Sequence, residues 1–451
     1  MSAASPTQNR EPTELISDDG ARGSDSNVGN TSFNVARLLT EMAHAMPNAV
    51  AIAEAKHPKC RRRYGEQNLA ISHAGYHTAS FAWLDADSSA IAAGLREMGI
   101  KPGMRIALLV PPGIDFVSLV FALLKLGAVQ VLIDPGMGKQ NVLRSLAEVR
   151  PEGIISVAFV QALRWLLRRK LPDATRNVTV HGYGLFHSQQ MFGETLEQLR
   201  QRGARQVAGA GLKGSPGEAT LGDASLVVAR SPDRVTASTE GLRTGVHGRP
   251  AVGDCARSGD LRTTEDFQVF AATADAPAAI IFTSGSTGPA KGVLYRHGNF
   301  DTQVREIRNF YGIEPGGIDV ACFPLFGLFN AAMGVTTVFP NMDFTRPAKV
   351  DPRNIVAAIT DWQATQSFAS PAVWNLVGKH CEVNHIQLPS LRRVFSCGAP
   401  VAAHVLRRMK SCIASDGEMF TPYGATEALP VASISASEVV GNDFNHGVAG
   451  V

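Results

Sequence analysis

The stretch that most constrains this chain is Ile280 to Gly292, reading IIFTSGSTGPAKG. A short apolar run ends in a glycine and hydroxyl cluster with a lysine just beyond, which describes a buried strand opening into a loop that can hold phosphate. Gly285, Gly288 and Gly292 let the backbone approach a polyanion. Thr283, Ser284, Ser286 and Thr287 supply hydroxyl donors, and Lys291 supplies a mobile positive charge. A Walker A loop is excluded, because that pattern needs glycine directly before the lysine and Ala290 stands there. The alternative reading, a Ser/Gly-rich surface turn, requires neither the strand before nor the lysine after.

Two further stretches lie downstream. Ser396-Cys397-Gly398-Ala399-Pro400 follows an expected strand, Arg393 to Phe395, and Tyr423-Gly424-Ala425-Thr426-Glu427 follows another, Glu418 to Thr421. A flat ring suits a base, a hydroxyl suits a phosphate oxygen and a carboxylate suits a hard cation. Taken alone, either stretch is also consistent with an ordinary turn at a strand end.

The three together, in this order, resemble the adenylate-forming superfamily, which groups acyl-CoA synthetases, peptide-synthetase adenylation domains and luciferases. The resemblance implies that Thr283, Ser284, Gly285, Ser286, Thr287, Gly288 and Lys291 hold ATP phosphates. It likewise implies that Gly398, Ala399, Pro400, Tyr423 and Gly424 surround the adenine, that Thr426 meets the α-phosphate and that Glu427 holds Mg²⁺. Within the superfamily, Thr287 to Phe300 and Phe323 to Pro352 are most similar to the β-lactone synthetases of the bacterial long-chain olefin pathway. That branch implies activation of a fatty or 2-alkyl-3-hydroxy acid, closure of a β-lactone and association with pathway enzymes. A long-chain acyl-CoA or acyl-AMP ligase of the same fold, and a nucleotide-binding remnant without turnover, are the alternatives.

Two departures from the family pattern stand out. Many acyl-CoA synthetases carry histidine after PLF, where Gly327 follows Pro324-Leu325-Phe326; the missing ring is expected to free space for a branched acid, or to be neutral drift in a substrate wall. Phe326, Leu328, Phe329 and Met333 are expected either to line an acyl pocket or to fill core. The second departure is the end of the chain at Val451, soon after YGATE. The expectation is an N-terminal domain truncated before the β-rich subdomain and the C-terminal domain, so that the family's ribose-binding aspartate and C-terminal lysine are not assigned.

Helical and strand patterns alternate on both sides of a region rich in Gly, Asp, Arg, Ser and Pro, predicting an α/β fold of two doubly wound sheet subdomains. The expected divisions are a disordered tail at 1–31, a first subdomain at 32–202, a flexible insertion at 203–265 and a second subdomain at 266–451. Expected helices include Ser88 to Gly99 and Ile114 to Leu126, with strands at Arg105 to Val110 and Val129 to Ile133.

Length and composition agree with a globular enzyme: 451 residues, 45% hydrophobic and 18% charged, exceed what one core usually serves. With 43 Lys and Arg against 40 Asp and Glu, the net charge of +3 argues against nucleic acid as a partner. The six cysteines show no CxxC pair, which fits a reduced, cytoplasmic setting, and Cys397 reads as a small buried apolar residue rather than a nucleophile. No signal peptide is visible, and Lys125 and Gly127 interrupt the apolar run Phe116 to Ile133, which predicts a buried helix and strand in place of a transmembrane segment. Arg164 to Lys170 is basic and amphipathic, read as a solvated outer helix face or as a contact for an anionic membrane or an acidic protein.

Overall fold

The apolar run beginning at Phe116 folds into a helix, Ile114–Leu126, and a strand, Val129–Ile133, joined at Gly127 in the left-handed conformation (φ 73°). Every residue of that helix is buried, Lys125 included. In this computed structural model the Lys125 ammonium lies 2.7 Å from Asp85 Oδ1 and donates to Ser89 Oγ at 2.7 Å and to the Asp85 carbonyl at 2.8 Å. Burial lowers the lysine pKa and Asp85 opposes that shift. The charge is thus accommodated by pairing, as a charge inside a core requires. Among the described residues no helix is long and apolar enough to cross a membrane.

The structure describes residues 32–56, 75–180, 193–210, 267–283, 291–325 and 327–441. Strands are numbered β1 (Val50–Ala55), β2 (Tyr76–Ser80), β3 (Arg105–Leu109), β4 (Val129–Ile133), β5 (Gly153–Val157), β6 (Arg176–Val180), β7 (Glu194–Thr195), β8 (Pro277–Thr283), β9 (Lys291–Arg296), β10 (Ile318–Ala321), β11 (Thr336–Phe339), β12 (Gln366–Phe368), β13 (Arg393–Phe395), β14 (Glu418–Ala425) and β15 (Ala428–Ser435). One sheet has the order β15-β14-β13-β12-β10-β11-β1-β2, and the other β7-β6-β5-β3-β4-β8-β9. Their interiors are parallel, and among the described residues the antiparallel pairs are β14–β15, β1–β2 and β8–β9.

The fold class is the expected α/β one, but the sheets are not cut where the sequence pattern suggested. β1 and β2, early in the chain, join the sheet built from β10 to β15, whereas β8 and β9 close the sheet built from β3 to β7. The strand leading into the phosphate-type loop therefore pairs with β4, in the register Gln130↔Ala279 to Ile133↔Phe282. Periodicity reports that a strand is buried, not which neighbour it hydrogen-bonds to.

A second difference lies at the expected insertion. A helix, Leu196–Ala210, continues past residue 203, where the flexible insertion was expected to begin. Gly203 is there for contact: a Cβ at this position would fall 1.8 Å from the Ala90 carbonyl oxygen, and one at Gly94 2.5 Å from the Leu199 carbonyl oxygen. The two helices touch backbone to backbone across these glycines. The rest of the expected insertion, the tail at 1–31, Ser225-Leu226-Val227-Val228, Cys60 and Cys255 lie outside the described residues.

The partner of that contact, helix Phe81–Glu97, begins well before the expected Ser88, with Ser80 Oγ accepting the Trp83 N–H at 3.2 Å as an N-cap. Its first turns hide Asp85, Asp87, Ser88 and Ser89. These polar residues break the apolar period in the sequence; Ser88 and Ser89 donate to the Asp85 carbonyl within the helix, and the two aspartates are paired from afar. Arg200 bonds Asp87 at 2.8 and 2.9 Å and Asp115 at 2.7 Å, and although burial alone lowers its pKa the two carboxylates raise it overall. The main core, with Leu84, Ile91, Leu95, Ile106 and Phe121, joins the sheets. A second core, with Ile355, Ile359, Trp374, Val394 and Met409, backs the larger sheet.

Candidate active site

β8 brings buried Ala278, Ala279 and Phe282 up to Thr283, and the chain returns as β9 with Lys291 paired directly opposite Thr283. Ser284, Gly285, Ser286, Thr287 and Gly288 lie outside the described residues. Lys291 is exposed at the head of β9. A Cβ on Gly292 would meet the Phe282 ring at 2.7 Å, so this glycine makes room for its own hairpin partner.

Alternation along β9 puts Lys291, Val293 and Tyr295 on one face. Tyr295 is buried, and its hydroxyl donates to the backbone carbonyl of Thr426. Burial raises its pKa, Gln303 acts in the opposite direction, and the nearby Glu427 carboxylate adds to the rise. Gln303 Nε2 also donates to the Leu429 carbonyl at 2.9 Å, and the Tyr311 hydroxyl to Ser433 Oγ at 3.0 Å. Three side chains from β9 and the following helix, His297–Tyr311, thus hold the β14–β15 hairpin that carries YGATE. The ring of Tyr295 stacks on Phe300 at 5.1 Å, and Phe300 packs on Phe329 at 4.8 Å.

β14 runs further than expected. It continues through Tyr423 to Ala425 because β15 pairs with it, Tyr423 opposite Ala432, leaving Thr426 and Glu427 as the connecting turn. Tyr423 is 66% exposed, and Glu427 is exposed in the turn that follows. Gly424 presses on the Ala428 carbonyl, where a Cβ would sit at 2.6 Å.

The GAP turn leaves β13 next to β14, with the Ser396 N–H bonded to the Phe420 carbonyl at 3.0 Å. Gly398 has φ 86°, which favours glycine, and Ala399 and Pro400 are exposed beside it. Cys397 is half-buried, and burial pushes its thiol pKa up to about 11, so it stays protonated near neutral pH as a packing residue would. Beneath the turn Tyr311, Phe395 and Phe420 form an aromatic cluster with centroid separations of 4.8, 5.1 and 5.8 Å. The Trp374 indole secures the strand end by donating to the Phe395 carbonyl at 2.9 Å.

The residues after β10 read differently in space than in sequence. A Cβ on Gly327 would press on Ala321 Cβ at 3.0 Å, with Asn330 and Thr337 at 3.4 Å, so a side chain added on this backbone would meet the sheet rather than an open acyl pocket. Leu328 and Met333 are buried in the main core with Phe329 packed against it, and Phe326 lies outside the described residues. Asp319, unnoticed in the sequence, anchors this segment by accepting from Asn330 Nδ2 at 2.6 Å. Complete burial pushes its carboxyl pKa up to about 7, against the pull of Asn330. Tyr295 and Gln303 were likewise missed; alternation in β9 marked Tyr295 only as an inward-facing residue.

A profile described as AMP-binding enzyme matches residues 57–448. The chain belongs to the AMP-binding enzyme family. This family member is 36% identical over 91% of its length to an olefin beta-lactone synthetase of Stenotrophomonas maltophilia, covering 60% of that protein. It is also 36% identical over 90% of its length to one of Xanthomonas campestris pv. campestris, covering 59%. The chain therefore spans about three fifths of the length of these two relatives. A crystal structure of a long-chain-fatty-acid-CoA ligase from Archaeoglobus fulgidus superposes with a TM-score of 0.62 at 16% identity, over 89% of this chain and 66% of that one, a likeness of fold.

Proposed function

We propose that this chain carries the nucleotide site of an AMP-forming ligase that activates a fatty or 2-alkyl-3-hydroxy acid with ATP and Mg²⁺. The observation that carries this reading is the Tyr295–Thr426 hydrogen bond, which brings the strand headed by Lys291 against the turn that presents Thr426 and Glu427. Lysine, hydroxyl, carboxylate and an open aromatic ring are the groups that a nucleoside triphosphate and its cation require.

In the proposed reaction the substrate carboxylate attacks the α-phosphorus in line, the bond to the β-phosphate oxygen breaks, and pyrophosphate leaves. Ser284, Ser286, Thr287 and Lys291 steady the β- and γ-phosphates, with Thr283, Gly285 and Gly288 shaping the loop. Thr426 meets the α-phosphate, Tyr423 stacks on adenine with Gly424 behind it, and Gly398, Ala399 and Pro400 border the base. Among the described residues no three metal-binding side chains cluster. Glu427 is the side chain suited to Mg²⁺, which commonly takes one or two carboxylates and completes its shell with phosphate oxygens and water. When bound, the ion neutralises phosphate charge. The β-hydroxyl of the acyl-adenylate then attacks the acyl carbon, AMP leaves with the bonding electrons, the hydroxyl proton passes to solvent, and a β-lactone closes. Proximity within one molecule favours this step.

The two synthetases at 36% identity favour the lactone over a thioester. The test is mass spectrometry of products from a 2-alkyl-3-hydroxy acid with ATP and Mg²⁺, using the chain alone and the chain extended with the part of the Stenotrophomonas maltophilia relative that it does not span. Carboxylate-dependent pyrophosphate release with a product lighter than the acid by one water is expected. Turnover only with CoA, giving a thioester, reassigns the protein to the acyl-CoA ligases, and absence of pyrophosphate release from both forms removes the adenylation reading.

A further inference from the structure

We propose that the helix Ala158–Leu166 and the basic turn that follows it form a docking surface for an anionic lipid membrane. The helix is inverted relative to an ordinary surface helix. Its buried residue is the polar Gln161, whose Nε2 donates to the Ile154 and Val178 carbonyls at 2.9 Å each, tying the helix to β5 and β6. Apolar side chains are turned outward: Phe159 is 73% exposed, Leu166 70% and Trp165 38%. Phe159 and Leu166 stand seven positions apart, two helical turns, so they share one face about 10 Å apart.

Arg168, Arg169 and Lys170 continue directly from this face as a short 3₁₀ turn, and all three are exposed. No aspartate or glutamate occurs between Ala158 and Pro172. Asp173, the next acid along the chain, is engaged by Arg150 at 2.8 Å, and no ion pair to Arg168, Arg169 or Lys170 occurs among the described residues. The Arg168 guanidinium lies over the Trp165 ring, 4.9 Å from its centre, so charge and aromatic surface are presented together. Arg164 is drawn inward to Gln161 Oε1 at 2.7 Å and leaves the apolar knobs unobstructed.

Exposed apolar residues scattered singly need no explanation, but a row of them flanked by unpaired cations is the pattern of a surface helix seated at the headgroup boundary. The cations form no fixed cradle for one acidic side chain, which suits the diffuse negative charge of a lipid leaflet. The proposal uses none of the nucleotide-site residues and stands apart from the adenylation reading.

The test is sedimentation of the chain with vesicles of phosphatidylcholine alone and of phosphatidylcholine mixed with phosphatidylglycerol. Binding to the anionic vesicles alone, weakened by salt, is expected. Each cation contributes about fivefold in partitioning, so the pair Arg168→Gln and Arg169→Gln is expected to lower binding at least tenfold. Phe159→Ser with Leu166→Ser is expected to do the same, with circular dichroism and pyrophosphate release unchanged. In the unaltered chain, lipids with brominated acyl tails should quench fluorescence that disappears in Trp165→Phe, a readout independent of whether the surface variants fold. No anionic selectivity, or no quenching of Trp165, overturns the proposal. Binding of polyglutamate without vesicle binding reassigns the surface to an acidic protein, and a dimer lost on Phe159→Ser reassigns it to a second copy of the chain.

Discussion

The Tyr295 hydroxyl donates to the backbone carbonyl of Thr426, joining the return strand of one sheet to the hairpin at the edge of the other. With Gln303 and Tyr311 it forms a three-point mount for the YGATE turn. Tyr295→Phe removes this bond and leaves the ring packing in place. Stability should fall by about 1 kcal/mol, while the rate of acyl-adenylate formation falls several-fold, because a loosened turn displaces Thr426 and Glu427. Urea denaturation alongside pyrophosphate release measures both, and an unchanged rate would separate the mount from the chemistry.

Lys291→Ala and Glu427→Gln each remove one charge proposed above to meet the triphosphate or its cation. Loss of such a partner commonly costs about 2–4 kcal/mol in the transition state. Pyrophosphate release should slow at least about tenfold in each variant. Both side chains are exposed, so the melting temperatures should stay close to the unaltered value.

Gly203→Ala puts a methyl group where the Ala90 carbonyl oxygen stands, 1.8 Å from the ideal Cβ. Helix propensity alone predicts a gain of about 1 kcal/mol from Gly to Ala. The contact predicts a loss of about 1–3 kcal/mol, since the helices must move apart. The sign of the change in chemical denaturation decides between the two.

Arg200→Met leaves Asp87 and Asp115 buried without their guanidinium. Removing one partner of a buried charge network costs about 3–5 kcal/mol, so this variant should unfold at markedly lower urea. Replacing Asp87 and Asp115 with Asn in the same background should recover part of the loss.

Asp319 gives a pH signature of defined sign. Its folded pKa, about 7, lies above the ordinary carboxylate value of 3.8, so its contribution favours folding below about pH 4 and is lost as pH rises through 7. Asp319→Asn should therefore gain stability relative to the unaltered chain between pH 4 and 7, reaching a few kcal/mol and levelling off above that range. Denaturation curves across this range test it; a difference independent of pH would mean that the carboxyl does not titrate there.

The nucleotide motifs were legible in the chain because their chemistry is local: a strand, a glycine-containing turn and a donor at fixed spacing are set by a few consecutive residues. Helix Ile114–Leu126 and strands β4 and β13 were equally legible, since their continuous or periodic apolar faces report burial directly. Helix starts at Phe81 and the run through Gly203 were not, because Asp85 and Asp87 are satisfied by Lys125 and Arg200 from distant segments and Gly203 serves a contact with Ala90.

What the sequence by itself determined was the α/β class and the family whose motifs the chain carries. Tertiary structure alone decided which sheet each strand joins, that Tyr295, Gln303 and Tyr311 hold the YGATE hairpin, that Gly327 faces Ala321 and that Phe159 and Leu166 point outward. The physical reason is common to all four. Each depends on hydrogen bonds or contacts between different elements of the fold, and local periodicity contains no information about which element will supply them.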